Sequence, residues 1–217
     1  MGFDPLADAR RKTETNRQIL ECGFRIFSQR AISKITMAEV AEAAGIGVAT
    51  LYRYYRTKQA LVMGVNAWIW DRVLQESIAK LQAAERSGWT AVTEYTFFLD
   101  RFLDLYHNHP DILRFNQFFN VYVRLESIPE DARKAFASVT GALEDYFHKV
   151  FLKARQDGSL RTDVAENDMF WASLHLMMAA VTRHAVGLVY DAGIDPDREL
   201  ALLKNMLLDR YAVTTKL

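Results

Sequence analysis

A chain of 217 residues, half of them apolar and a quarter charged, has globular rather than disordered composition, and its length suits one large domain or a small one joined to a larger one. Its single cysteine, Cys22, excludes a disulfide framework and points to a reducing compartment. Formal charge is zero overall, but residues 1–60 carry ten Lys and Arg against six Asp and Glu while residues 61–217 carry seventeen against twenty-one, so a basic segment suited to phosphates precedes an acidic one.

The amino-terminal stretch lacks an apolar signal core, and the longest nearly uncharged apolar run, MFWASLHLMMAAV, is shorter than the ~20 residues that span a bilayer. A cytoplasmic protein without membrane partners is expected. Helical periodicity runs through almost every segment, and Gly and Pro are scarce. The fold class is therefore all-α.

The first helix is expected to start at Thr15, because TNRQ has the form of a capping box, and to end near Gln29 or Arg30. Ile19, Leu20, Gly23, Phe24 and Phe27 form its inward stripe. A second capping box, TMAE, starts a short helix at Thr36, and Gly45 is the residue for the left-handed position that stops it. Gly47 then serves as the cap of another short helix, VATLYRYY, and Thr57 caps the long helix that follows.

Two short helices around a Gly-centred turn, braced by a longer one, make a helix-turn-helix pattern. On the second, Leu51 and Tyr55 are four apart and face inward. Val48, Ala49, Tyr52 and Arg53 occupy another face, with Thr50 and Tyr54 at its edges. Small residues at the helix start permit close approach to a major groove, and the hydroxyls and the guanidinium donate to phosphates or base edges. Tyr52 and Tyr54 have a rival use as cover for a small core. Lys58, beside the Thr57 cap, could share a phosphate with the free amides of the long helix or be solvated surface.

At these residues the sequence resembles the TetR family (tetracycline-repressor-like) of transcriptional regulators. The resemblance spans about Thr15 to Leu61 and rests on IL..GFRIFS followed by TMAEVAEAAGIGVATLYRYYRTKQAL. It implies a three-helix helix-turn-helix DNA-binding domain at 1–60 joined to a six-helix ligand-binding and dimerisation domain at 61–217. It implies phosphate contacts from Thr36, Thr50, Tyr54 and Lys58, and base proximity for Val48, Ala49, Tyr52 and Arg53. Two departures stand out: Gly47 where the family commonly has a hydroxyl cap, and Ala31 where it often has Gly. A left-handed Ala31 would cost about 1 kcal/mol, and a local shift of that turn is the alternative.

Beyond Thr57 the expected helices cover 57–85, 89–108, 110–126, 129–156, 166–191 and 196–213, with breaks at NHPD, SIPED, QDGS and AGIDPD. TEYTFFLDRFLDLY and LRFNQFFNVYV carry aromatics nearly all round. Such helices are buried on several sides or line an apolar pocket. Candidate wall residues are Phe98, Phe102, Tyr106, Phe115, Phe119 and Tyr122, with Trp68, Asn116, Asn120 and His175 as polar or amphipathic anchors; ordinary core packing is the rival for each. His175, within FWASLHLMM, is expected to be a buried imidazole in need of a partner.

His107 and His109 flank one residue, a poor spacing for two ligands on one helical face, so no metal and no cofactor are expected. The last two helices are apolar and long for exposed elements, which implies a homodimer through them. The functional expectation is a homodimeric, sequence-specific DNA-binding regulator, a repressor released from a pseudo-palindromic operator by a small apolar or aromatic effector. Rival readings are a regulator without a small-molecule ligand, constitutive or protein-controlled, and an activator. An enzyme is not expected: G-x-S-x-G, a phosphate loop and a paired-carboxylate spacing are all missing, and Glu144, Asp145 and His148 read as a solvated face.

Overall fold

The computed structural model describes residues 5–85, 87–126, 130–187 and 193–213, and the side chains of all of these except 5–8 and 130–139. Among the described residues there are nine α-helices: α1 Pro5–Phe27, α2 Met37–Ala43, α3 Val48–Tyr54, α4 Lys58–Ala83, α5 Ala91–Asn108, α6 Pro110–Leu125, α7 Glu130–Asp157, α8 Glu166–Val186 and α9 Pro196–Tyr211. One 3-10 turn, Ile32–Lys34, lies between α1 and α2. The only extended pairing among the described residues is an isolated antiparallel bridge, Leu160 with Ala212. The all-α reading is correct, and six helices follow α3 as expected.

The chain forms two compact units, Met1–Leu74 with Phe115–Ala137, and Gln75–Arg114 with Ser138–Leu217. In the first, the stripe on α1 is buried at Ile19, Leu20, Gly23 and Phe27, with Phe24 half-buried. Phe24 meets the Phe115 ring edge-on at 5.6 Å. Gly23 is needed for close packing, since a Cβ there would lie 3.0 Å from Val65 of α4.

The expected start of α1 at Thr15 is wrong. The helix begins at Pro5 and passes through Thr13 and Thr15, whose hydroxyls donate back to the carbonyls of Ala9 and Arg11 at 3.1 and 2.8 Å. That back-bonding is the mid-helix use of a threonine, and Gln18, the other half of the supposed capping box, instead donates to the Ala44 carbonyl at 3.0 Å. Cys22 likewise reaches the Ala43 carbonyl at 3.2 Å, so two α1 side chains satisfy carbonyls at the end of α2 that lack helical partners.

The second unit is organised by rings. Tyr95 and Phe98 of α5, Phe147 of α7, Phe170 of α8 and Tyr211 of α9 are all buried, with centroids 5.3 to 6.4 Å apart. The Tyr95 hydroxyl bonds to Ser173 at 2.7 Å, and burial pushes its phenol up from the ordinary range. The buried Glu94 carboxylate is matched by Lys153 at 2.9 Å. The first amides of α5 are satisfied from outside the helix: Ala91 donates to Asp157 at 2.7 Å and Val92 to Ser159 at 3.0 Å.

The helix expected at 166–191 stops at Val186, because Gly187 takes φ 103° and breaks the helical dihedrals; residues 188–191 of that expectation, like Pro129 of SIPED, lie outside the described residues. Asp195 caps α9 by accepting from the Asp197 amide at 3.1 Å, with Pro196 at the first helical position. No helix among the described residues is long and apolar enough to cross a membrane.

Candidate nucleic-acid interface

The turn between α2 and α3 is built from backbone hydrogen bonds that its sequence encodes. Thr36 and Glu39 form the complete capping box: the Glu39 amide donates to the Thr36 hydroxyl at 3.2 Å, and the Thr36 amide donates to the Glu39 carboxylate at 2.7 Å. These bonds, together with an ion pair to Arg30, hold the Glu39 carboxyl down at about 2. At the other end of α2, Gly45 has φ 63°. Its amide donates to Glu42 at 2.9 Å and that of Ile46 to Ala41 at 3.0 Å, the double bond pattern of a Schellman stop.

Gly47 caps α3 without a side chain, at φ −68° and ψ 146°. Leu51 is completely buried and fastens α3 down. Tyr55, just past its end, donates through its hydroxyl to Asn16 of α1 at 2.9 Å, and burial raises its phenol above the usual value. Its ring also presses on α4, where a Cβ on Gly64 would lie 2.8 Å from Tyr55 Cε1. Tyr55 is thus a packing residue touching α1 and α4. Ala31 sits at φ −51° and ψ 120°, not left-handed; the local shift of the turn is what accommodates it, and the strain is avoided.

The opposite face of α3 is open. Val48 is 41% and Tyr52 46% exposed, Ala49 and Arg53 are exposed, and Thr50 and Tyr54 are half-buried. The Arg53 guanidinium lies 5.9 Å from the Tyr54 ring centroid, within cation–π range. Thr57 caps α4 by accepting from the Ala60 amide at 3.1 Å. Lys58 is half-buried, its ammonium donating to the Ser33 carbonyl at 3.0 Å and lying 5.5 Å from the Tyr122 ring. Burial lowers its affinity for the proton, against the opposing pull of Glu126 and Glu39.

The candidate effector residues fall in both units. In the first, Phe115, Phe119 and Tyr122 are buried, the first two with centroids 5.8 Å apart, and burial pushes the Tyr122 phenol up to about 12. Trp68 is half-buried with the Arg72 guanidinium 4.8 Å from its ring. Asn116 is half-buried, but Asn120 is exposed: four residues of spacing did not keep both amides on an inner face, since the buried stripe of α6 passes through 115, 119 and 122.

In the second unit Phe98 and Phe102 are buried at 5.4 Å from each other, and Tyr106 is half-buried, 6.2 Å from His184. His175 is exposed, its ring 5.2 Å from Trp171. The expectation of a buried imidazole is therefore corrected: the inward face of α8 runs through Met169, Phe170, Ser173 and Met177, and His175 is off that face. Glu144, Asp145 and His148 are exposed as read, with His148 paired to Glu166 at 2.9 Å.

Four residues that the sequence reading passed over take part in this architecture. Asn16 and Gly64 position Tyr55. Asn66 and Trp70 are polar groups within the apolar run of α4; a lone amide at a position whose helical neighbours are all apolar was the available signal.

Similarities to known proteins follow the same division of the chain. The pattern of the family described as bacterial regulatory proteins, tetR family, matches residues 19–65. An uncharacterized helix-turn-helix-type transcriptional regulator of Mycobacterium tuberculosis (strain CDC 1551 / Oshkosh) is 45% identical over 60 residues. That match covers 28% of this chain and only 29% of the relative.

The fold as a whole is similar to a putative transcriptional regulator from Saccharomonospora viridis solved with choline, at TM-score 0.72 and 16% identity, covering 93% of this chain and 100% of that one. It is also similar to the fatty acid degradation regulator FadR from Bacillus halodurans, at TM-score 0.69 and 12% identity over 96% and 97% of the two chains. The Schellman stop and the capped α3 both lie inside the matched segment, so residues 19–65 carry the helix-turn-helix pattern of the tetR family of bacterial regulatory proteins.

Proposed function

We propose that this protein is a homodimeric, sequence-specific DNA-binding transcriptional regulator that represses from a pseudo-palindromic operator and is released by a small apolar or aromatic effector. The observation that carries the reading is α3 itself: Leu51 and Tyr55 fix it, while Val48, Ala49, Tyr52 and Arg53 are left exposed on one helix. Small residues at its start admit it to a major groove, and Arg53 and Tyr52 supply hydrogen bonds to base edges. Thr36, Thr50, Tyr54 and Lys58 serve phosphates, for which Lys58 must leave the Ser33 carbonyl.

Dimerisation is assigned to α8 and α9. Leu176 and Val186 on α8 and Leu202 and Met206 on α9 are exposed, the α9 pair at 58% and 54%. An apolar stripe of that kind favours pairing with a second copy about a two-fold axis. Two recognition helices about 34–36 Å apart then meet successive major grooves. Candidate effector contacts are Trp68, Phe115, Asn116, Phe119 and Tyr122 in the first unit and, taken separately, Phe98, Phe102 and Tyr106 in the second. The choline-bound Saccharomonospora viridis structure supports a ligand-holding role for this fold. Release requires the effector to bind the DNA-incompetent arrangement more tightly.

An Arg53→Ala, Tyr54→Phe protein that remains dimeric should lose about 1–3 kcal/mol of operator affinity, with relaxed sequence preference, in fluorescence anisotropy on DNA selected from a random pool. Full retention of specific affinity removes α3 from the reading. A second reading, regulation without a small molecule, is favoured by the mutual packing of buried Phe98, Phe102, Phe115 and Phe119 as closed core within their units. Thermal-shift screening separates the two, since a true effector raises stability by mass action.

A further inference from the structure

Asn66 of α4 is 0% exposed, yet neither its amide nitrogen nor its amide oxygen has a hydrogen-bond partner among the described residues. One turn further along the same helix the indole nitrogen of Trp70 is also buried and unpartnered. Residues four apart stand on one face of a helix, with Cβ atoms about 5–6 Å apart. The two groups are therefore neighbours, within the first unit. Protein interiors rarely leave such atoms unmatched, and each exception calls for a reason, among them a functional role or a bound guest.

Several other buried or half-buried polar groups among the described residues are matched: Glu94 has Lys153, Tyr95 has Ser173, and Tyr55 has Asn16. Arg101 and Thr182 also carry unmatched atoms. Arg101, however, has Asp104 at 3.5 Å and the Phe97 ring at 4.6 Å, and Thr182 contributes a single hydroxyl.

The chemistry of the pair selects its guest. Asn66 offers two N–H donors and one acceptor, and Trp70 one N–H donor, so the site is rich in donors and carries no charge. Its buried surroundings on α4 are Val62, Met63, Val65 and Ile69. A carboxylate placed there would need a buried cation, and the nearest arginine on the helix, Arg72, is exposed and lies over Trp68. An uncharged carbonyl oxygen, with two lone pairs, could accept from both nitrogens, and a neighbouring N–H or O–H on the same molecule would serve the Asn66 oxygen. We propose that Asn66 and Trp70 form a buried seat for the uncharged carbonyl group of the effector. This rests on the effector-responsive reading given above.

The test follows the Asn66 side-chain and Trp70 indole N–H resonances of the full-length protein by NMR, during titration with cyclohexanone and with methylenecyclohexane, which has the same shape without the oxygen. Cyclohexanone alone should move both sets saturably, and Asn66→Leu or Trp70→Phe should weaken its binding at least about tenfold, a loss of the order of one hydrogen bond. Equal responses to both probes, or no saturable response, overturns the seat.

Asn66→Leu should also raise the Tm of the unliganded protein by about 2–4 °C, because an apolar side chain of similar shape replaces an unmatched amide. A fall in Tm means that the amide is structurally satisfied, which also overturns it. Operator affinity of Asn66→Leu should stay within about threefold of the parent. If the parent itself binds no DNA, the regulatory reading fails while the two titrations still decide the seat.

Discussion

Around α2 and α3 the contacts that fix the chain are short-range: a capping box at Thr36, a Schellman stop at Gly45, a bare glycine cap at Gly47 and a single fully buried anchor at Leu51. In the second unit the corresponding work is done by rings from four helices, Tyr95, Phe98, Phe147, Phe170 and Tyr211, that are distant in sequence. Caps contribute about 1 kcal/mol each, whereas a buried aromatic contributes several. The region that presents a surface is therefore held by many small, local, directional terms. The region that encloses a core is held by fewer and larger ones.

Breaking the larger kind has the largest expected effect. Phe98→Ala should cost about 3–5 kcal/mol in urea unfolding, with operator affinity per folded protein unchanged if α3 is held by its own caps. Leu51→Ala should cost about 2–5 kcal/mol and reduce operator binding as well, because Leu51 is the fully buried residue of α3. If Phe98→Ala and Leu51→Ala perturb DNA binding equally, the contrast between the two regions fails.

Thr36→Ala should cost about 1 kcal/mol and alter the acid limb of stability. The folded Glu39 carboxyl titrates at about 2, below its ordinary 4.5, so its contribution is complete above pH 4.5 and is lost as pH falls toward 2. Without the Thr36 hydroxyl the folded value rises, and urea midpoints measured between pH 2 and 5 should fall less steeply than in the parent. The smallest effect is expected from Gly47→Ser, which meets nothing within 4 Å and supplies the missing cap; calorimetry should show a gain of a few tenths of a kcal/mol.

The same contrast explains what the sequence revealed. The starts at Thr36 and Thr57 and the stop at Gly45 were legible because each depends on residues within four positions. Leu51 and Tyr55 were legible as an inward pair for the same reason. Thr15 misled because a hydroxyl followed by Gln has two uses, a cap or a back-bond to the preceding turn, and only the helix begun at Pro5 decides between them.

His175 and Asn120 misled because apolar surroundings in sequence do not say which part of a helix faces in; that depends on partners far along the chain. Asn66 and Trp70 escaped notice because a missing hydrogen bond is a property of space rather than of sequence.

The close seat of Tyr55 over Gly64 has a mechanical consequence. A ring pressed against bare backbone, and tied through its hydroxyl to Asn16, leaves α3 no freedom to tilt independently of the first turns of α4. Any displacement of the Gly64 turn of α4 must carry the Tyr55 ring, and with it the end of α3, so the two helices are coupled by direct contact as well as by the chain that joins them.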